Sequence, residues 1–138
     1  MSRRRHVRAS HRVLVSLRRP FVDARGTIQN LVDRSCGSAL VIESVKGAVR
    51  GNHYHKRDFH YSWLHRGRMI YYSRPVGDQR PPRRKIIRAG QLFYTPPMTE
   101  HAMVFTEDSL LFVVAKQNRH MRHYEADTTR IASLVPSA

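Results

Sequence analysis

Almost nowhere in this 138-residue chain do apolar residues recur at the spacing of an amphipathic helix; short apolar or alternating stretches return instead every 8 to 12 residues. That rhythm predicts strands near 12–17, 27–32, 39–45, 52–55, 60–65, 68–73, 84–88, 91–95, 101–105 and 110–116. The separators carry turn chemistry, as in Asp23 to Gly26, Ser35-Cys36-Gly37, Lys46-Gly47, Arg66-Gly67, Ala89-Gly90 and Pro96-Pro97. The spacing reads as a sandwich or barrel of antiparallel strands, and the number of elements suits an all-β jelly-roll barrel with little helix.

Three segments depart from the rhythm. Pro75 to Arg84 holds three prolines and three arginines, and prolines at 81 and 82 cannot donate to a ladder, so an exposed loop is expected there. Leu110 to Ala115 lacks alternation and is expected to be buried on both faces. Residues 119–131 are expected to form one short helix or a cover strand.

The length allows one domain with a single core. Hydrophobic residues at 41% are too many for a chain disordered throughout, yet the longest apolar run, Leu110 to Ala115, is far short of the ~20 residues that span a bilayer. A single cysteine, Cys36, rules out an intrachain disulfide framework and a Cys-based zinc finger, and fits a reducing cytoplasm. Lys and Arg exceed Asp and Glu to give a net charge of +15, of which +7 lies ahead of the first acidic residue, Asp23. Residues 1–18 accordingly read as a basic leader, disordered or an edge strand, and 19–138 as the folded domain. The remaining arginines form neither a helix face nor a nucleic-acid module, so the charge argues for an anionic small molecule ahead of DNA or RNA.

Of nine histidines, four form a chemically meaningful set: His53, His55, His60 and His101. Residues two apart in a strand share a face, so His53 and His55 project together, and two buried imidazoles cost several kcal/mol unless something pairs with them. His60 opens the next strand and His101 a later one, with Met103 and Phe105 on its face. Four neutral imidazoles in an otherwise apolar barrel suit a divalent transition metal such as Zn, Fe, Ni or Cu. Phe93, Met103, Phe105 and either Trp63 or Tyr61, according to register, are expected to ring the site.

These residues resemble the two motifs of the cupins, a family of small antiparallel jelly-roll barrels. The first is His53-Tyr54-His55, four residues, His60, six residues, Gly67; the second is Gly90, five residues, Pro96, then Met98 and His101. Here His60 stands where cupins usually carry Glu, and Met98 where they carry Gly, so a positive φ is not required there by residue type. Arg50-Gly51-Asn52-His53-Tyr54-His55-Lys56 is similar to a segment of nucleotide-sugar ketoisomerases and epimerases, as are the Asp23-Ala24-Arg25-Gly26 opening and Tyr124-Glu125-Ala126-Asp127.

The resemblance implies an isomerase or epimerase of nucleotide-linked sugars, in which His53 or His55 removes the proton beside a keto group and Tyr61 supplies an acid. Arg25, Arg50 and Lys56 would hold the diphosphate, and a homodimer is implied. Two other readings stay open: a metal-dependent dioxygenase with histidine-ligated Fe or Cu, and a non-enzymatic ligand-binding or sensing protein.

Overall fold

In the computed structural model, which describes residues 12–137, antiparallel strands build two sheets that face each other. One holds β3 (Ser38–Ser44), β10 (Ser109–Ala115), β5 (His60–Arg66) and β8 (Leu92–Thr95), in that order. The other runs β11 (Thr128–Arg130), β4 (Val49–His55), β9 (Thr99–Phe105), β6 (Arg68–Pro75) and β7 (Arg83–Arg88). A separate hairpin pairs β1 (Phe21–Asp23) with β2 (Gly26–Ile28). The architecture is the expected all-β jelly roll, with α1 (Met121–Asp127) as the one helix among the described residues. It is too short to cross a membrane.

Alternation places the core. Inward residues of both sheets meet as Leu64, Met69, Tyr71, Ile87, Phe93, Phe105, Leu111 and Val113, all buried. Fully burying side chains of this size stabilises the fold by roughly 1.5–3 kcal/mol each.

Several expectations need correction. β10 alternates after all: Leu111 and Val113 are buried, while Phe112 between them points to the outer face of the sheet and is 40% exposed, covered only in part by the segment at Leu31 and Val32. The strand expected at 27–32 is confined to Gly26–Ile28, which pairs with β1 instead of joining a barrel sheet. The tail forms both a helix and a strand, α1 and β11. Of the leader, residues 1–11 lie outside the described residues, while 13–15 run along β8 through Val15 N–H to the Leu92 carbonyl (2.9 Å) and Tyr94 N–H to the Val13 carbonyl (2.9 Å).

Candidate active site

The inner faces of β4, β5 and β9 bring the histidines together. β4 pairs with β9 so that His53 lies opposite His101, and a bulge at Gly51 and Asn52 shifts the register just ahead of it. Gly51 has φ +87°, and a Cβ there would stand 2.8 Å from the His101 carbonyl oxygen, so glycine is required. Because one extra residue is accommodated, Arg50 as well as His53 and His55 is directed toward the interior: Arg50 pairs with Met103 and His53 with His101. The turn into β9 is equally constrained. Met98 adopts φ +56°, so the left-handed conformation persists without the glycine, and its N–H bonds the His55 carbonyl at 2.8 Å.

Ring nitrogens of His53, His55 and His101 all lie within 4.8 Å of one another. Their hydrogen bonds define the tautomers. Thr128 Oγ1 gives its proton to the Tyr124 carbonyl at 2.6 Å and therefore accepts from His55 Nδ1 at 3.2 Å. His55 Nε2 is left with its lone pair, buried and without a partner. His101 Nδ1 donates to the Thr99 carbonyl at 3.0 Å, which likewise frees Nε2 as an acceptor. Burial, reinforced by the neighbouring His60, Arg130 and Arg119, pushes His53 down to about 4. Burial, with His60 and His53 adding to it, pushes His55 down to about 3, and burial holds His101 well below the ordinary imidazole value. At neutral pH all three are uncharged.

His60 does not complete this set. Its ring lies 4.9 Å from that of His55, but Nε2 donates to Asp58 Oδ2 at 3.0 Å. The four-histidine shell expected from the sequence is a group of three with a His60–Asp58 pair beside it. Asp58 is held below the usual carboxylate range: burial raises it, but the His60 ring and the Gln117 N–H outweigh that.

His53, His60 and His101 line a cavity of about 300 Å³, with His55 buried behind them. Phe93 and Met103 line it as expected, whereas Phe105 lies in the packed core beyond. Tyr61 is not there. The β5 register turns His60 and Ser62 inward and puts Tyr61 and Trp63 on the outer face, where Tyr61 stacks 4.7 Å from Tyr94 and its hydroxyl meets Arg34. Arg50 reaches the cavity, its guanidinium fixed by Ser44 Oγ (2.8 Å) and the Glu43 carbonyl (3.0 Å). Arg25 does not: it sits on the β1–β2 hairpin, chelating Asp23 with its side chain 86% exposed. Lys56 lies in a different cleft, with Arg57, Lys116 and His123.

The strap after β10 supplies what the sequence reading missed. Arg119, Tyr124 and Arg130 line the cavity, with the Arg119 guanidinium 4.3 Å over the Tyr124 ring and that ring 5.6 Å from His55. No aspartate or glutamate lines the cavity among the described residues. An anion is thus favoured at a mouth carrying Arg50, Arg119 and Arg130.

No family model matches the sequence, and no curated protein matches it. Solved structures do match. The sugar 3,4-ketoisomerase QdtA from Thermoanaerobacterium thermosaccharolyticum, in complex with TDP, superimposes with a TM-score of 0.68 at 19% identity over 85% of each chain. The same enzyme has been solved with TDP-4-keto-6-deoxyglucose. ChmJ, a 3'-monoepimerase from Streptomyces bikiniensis in complex with dTDP, gives 0.71 at 17% identity over 91% of this chain and 72% of its own. The capsular polysaccharide assembling protein CapF from Staphylococcus aureus gives 0.63 at 18% identity, with 86% of this chain matching 35% of it. The likeness is one of fold, an antiparallel jelly roll of the kind the strand spacing implies.

Proposed function

We propose that this chain is an enzyme acting on a nucleotide-linked sugar, of the isomerase or epimerase type. The observation that carries the reading is the cavity itself: the uncharged His53 and His101 line it together with three arginines, with no carboxylate among the described lining residues to compete for them. The fold-matched proteins that carry TDP and a TDP-sugar support the same ligand class.

A 4-keto sugar makes its neighbouring C–H acidic, and a neutral histidine over that carbon removes the proton. His53 is the candidate base, because it lines the cavity and none of its ring nitrogens is bonded elsewhere. Tyr124 takes the place assigned by sequence to Tyr61 as the phenol that returns a proton, since it alone of the two lines the cavity. Arg50, Arg119 and Arg130 hold the diphosphate, in place of the set Arg25, Arg50 and Lys56. Incubation with TDP-4-keto-6-deoxyglucose in deuterated water tests this: deuterium should enter at the carbon beside the carbonyl, and His53→Asn should slow entry by about 100-fold or more. Absence of both exchange and ligand-induced thermal stabilisation would refute the reading.

The orphaned Nε2 of His55 favours a second use of the same cluster. A divalent transition metal fits His53, His55 and His101, of which His55 and His101 have tautomers that leave Nε2 as an acceptor. Bound there, Zn, Fe, Ni or Cu would supply a Lewis acid for a sugar carbonyl. The chain's own contribution is to hold the two fixed tautomers and exclude water. Elemental analysis of untagged protein distinguishes this use from the metal-free one, since stoichiometric metal that is lost in His101→Ala is required of it. Redox-active iron or copper together with oxygen uptake would move the protein to the dioxygenase reading.

A further inference from the structure

The proline- and arginine-rich segment between β6 and β7, which breaks the strand rhythm of the sequence, takes no part in the histidine cavity. It folds back beside the edge strand β7 and walls a separate cavity of about 670 Å³, lined by Arg12, Arg74, Arg80 and Arg83 among others. The segment is preset rather than slack. Pro75, Pro81 and Pro82 restrict its backbone, Val76 N–H bonds the Met98 carbonyl at 3.0 Å, Asp78 N–H bonds the Pro75 carbonyl at 3.1 Å, and Arg74 Nη1 donates to the Arg80 carbonyl at 3.2 Å.

Its charge is unbalanced. Arg80 is held by Asp78 at 2.7 Å and Arg74 by Glu100 at 2.9 Å, whereas Arg12 and Arg83 have no carboxylate partner among the described residues. Four guanidinium groups against two carboxylates leave two uncompensated positive charges around one hollow. A phosphate monoester carries about −1.5 to −2 at neutral pH and offers oxygens that match guanidinium geometry. Tyr71, which lines this cavity, shares a hydrogen bond with Thr95 of the histidine cavity at 2.7 Å and its ring stacks 6.4 Å from that of His101, so the two cavities adjoin across this side chain while no arginine lines both.

We propose that this cavity is a second anion-binding site, which takes the dianionic phosphate of a small phosphate monoester or of free orthophosphate. Calorimetric titration of the full chain with inorganic phosphate, adenosine 5'-monophosphate and adenosine tests it and separates the sources. The two phosphates should bind saturably and displace one another, while adenosine should not bind; tighter binding of the nucleotide than of inorganic phosphate assigns the site to an organic monoester, and equal binding assigns it to the ion. Arg83→Ala should weaken phosphate about tenfold or more, Arg83→Lys should recover part of that loss, and Arg50→Ala should leave it within about twofold. The proposal is overturned if neither phosphate binds saturably, if Arg83→Ala changes nothing, or if Arg50→Ala abolishes binding, which would put the phosphate in the histidine cavity.

Discussion

Two ends of one barrel interior are built from the same strands and answer to different rules. β9 runs through both: His101 is 4% exposed at one end and Phe105 is 0% exposed at the other. Phe105 belongs to a cluster of buried hydrophobic side chains that contribute by filling space. Around His101 are the half-buried His53 and the buried His55, whose Nε2 is left without a protein partner. The first arrangement stabilises the fold; the second costs stability, because a buried acceptor without a partner forfeits its hydration.

The comparison is broken most directly by exchanging the two kinds of position. Phe105→Ala should lower unfolding free energy by about 3–5 kcal/mol in urea titrations, the usual cost of emptying an aromatic site in a packed core. His55→Leu, nearly as buried at 2% exposure, should cost less than about 1 kcal/mol, since it removes an unsatisfied nitrogen along with the ring. If the two variants lose equal stability, the histidines are packing residues and the contrast fails.

A smaller effect sharpens the histidine side alone. Thr128→Val keeps the side-chain shape but removes the oxygen that accepts from His55 Nδ1, so nothing holds Nε2 deprotonated. Affinity for added zinc, read by competition with a chelating dye, should fall about 10- to 100-fold while the melting temperature changes little. Unchanged zinc affinity would mean that His55 is not presented by Thr128.

Acid should separate the two ends again. His53 and His55 sit at about 4 and about 3 in the folded protein against an ordinary 6.5, so the unfolded chain binds protons first as pH falls. The stability they allow is complete above about 6.5 and is lost as pH drops through 4 toward 3. Metal-free protein in chelator should therefore melt several degrees lower at pH 4.5 than at pH 7.5, with a slope that flattens in His53→Gln; a profile that is flat across this range in the unsubstituted protein would contradict the buried neutral cluster.

How much of this could be read from residues differs between the same two ends. The period-two spacing of His53 and His55 and the second motif ending in His101 gave the cluster its members, because strand geometry alone decides which residues share a face. Tyr61 shows the limit: strand membership was correct, but facing depended on the β5 register, which pairing with β10 and β8 decides. For His60 the spacing leaves ligation and hydrogen bonding equally open, and the structure engages Nε2 with Asp58 two residues earlier. Arg50 faces inward through a bulge whose only signal is the Gly51-Asn52 pair. Tyr124 carried a short motif resemblance but no assigned role, and Arg119 and Arg130 carried neither period nor motif, because the segment that holds them reaches the cavity only as a consequence of tertiary folding.

The smallest expected effect concerns the cations that the strap brings in and those it leaves out. Arg130 and Lys56 both flank the HxH strand, yet Arg130 lines the histidine cavity while Lys56 lines a separate cleft with Arg57 and Lys116. If three arginines share a diphosphate, losing one should weaken TDP binding about tenfold, the equivalent of one charge-assisted contact at roughly 1.4 kcal/mol. Lys56→Ala should leave it within about twofold, because an exposed cation outside the cavity is screened by solvent and salt. Measured side by side in calorimetry at two salt concentrations, Arg130→Ala should also reduce the salt dependence of TDP affinity, and Lys56→Ala should not. The reverse ranking would move the phosphates out of the cavity and over the strap, and would separate the arginine mouth from the histidines beneath it.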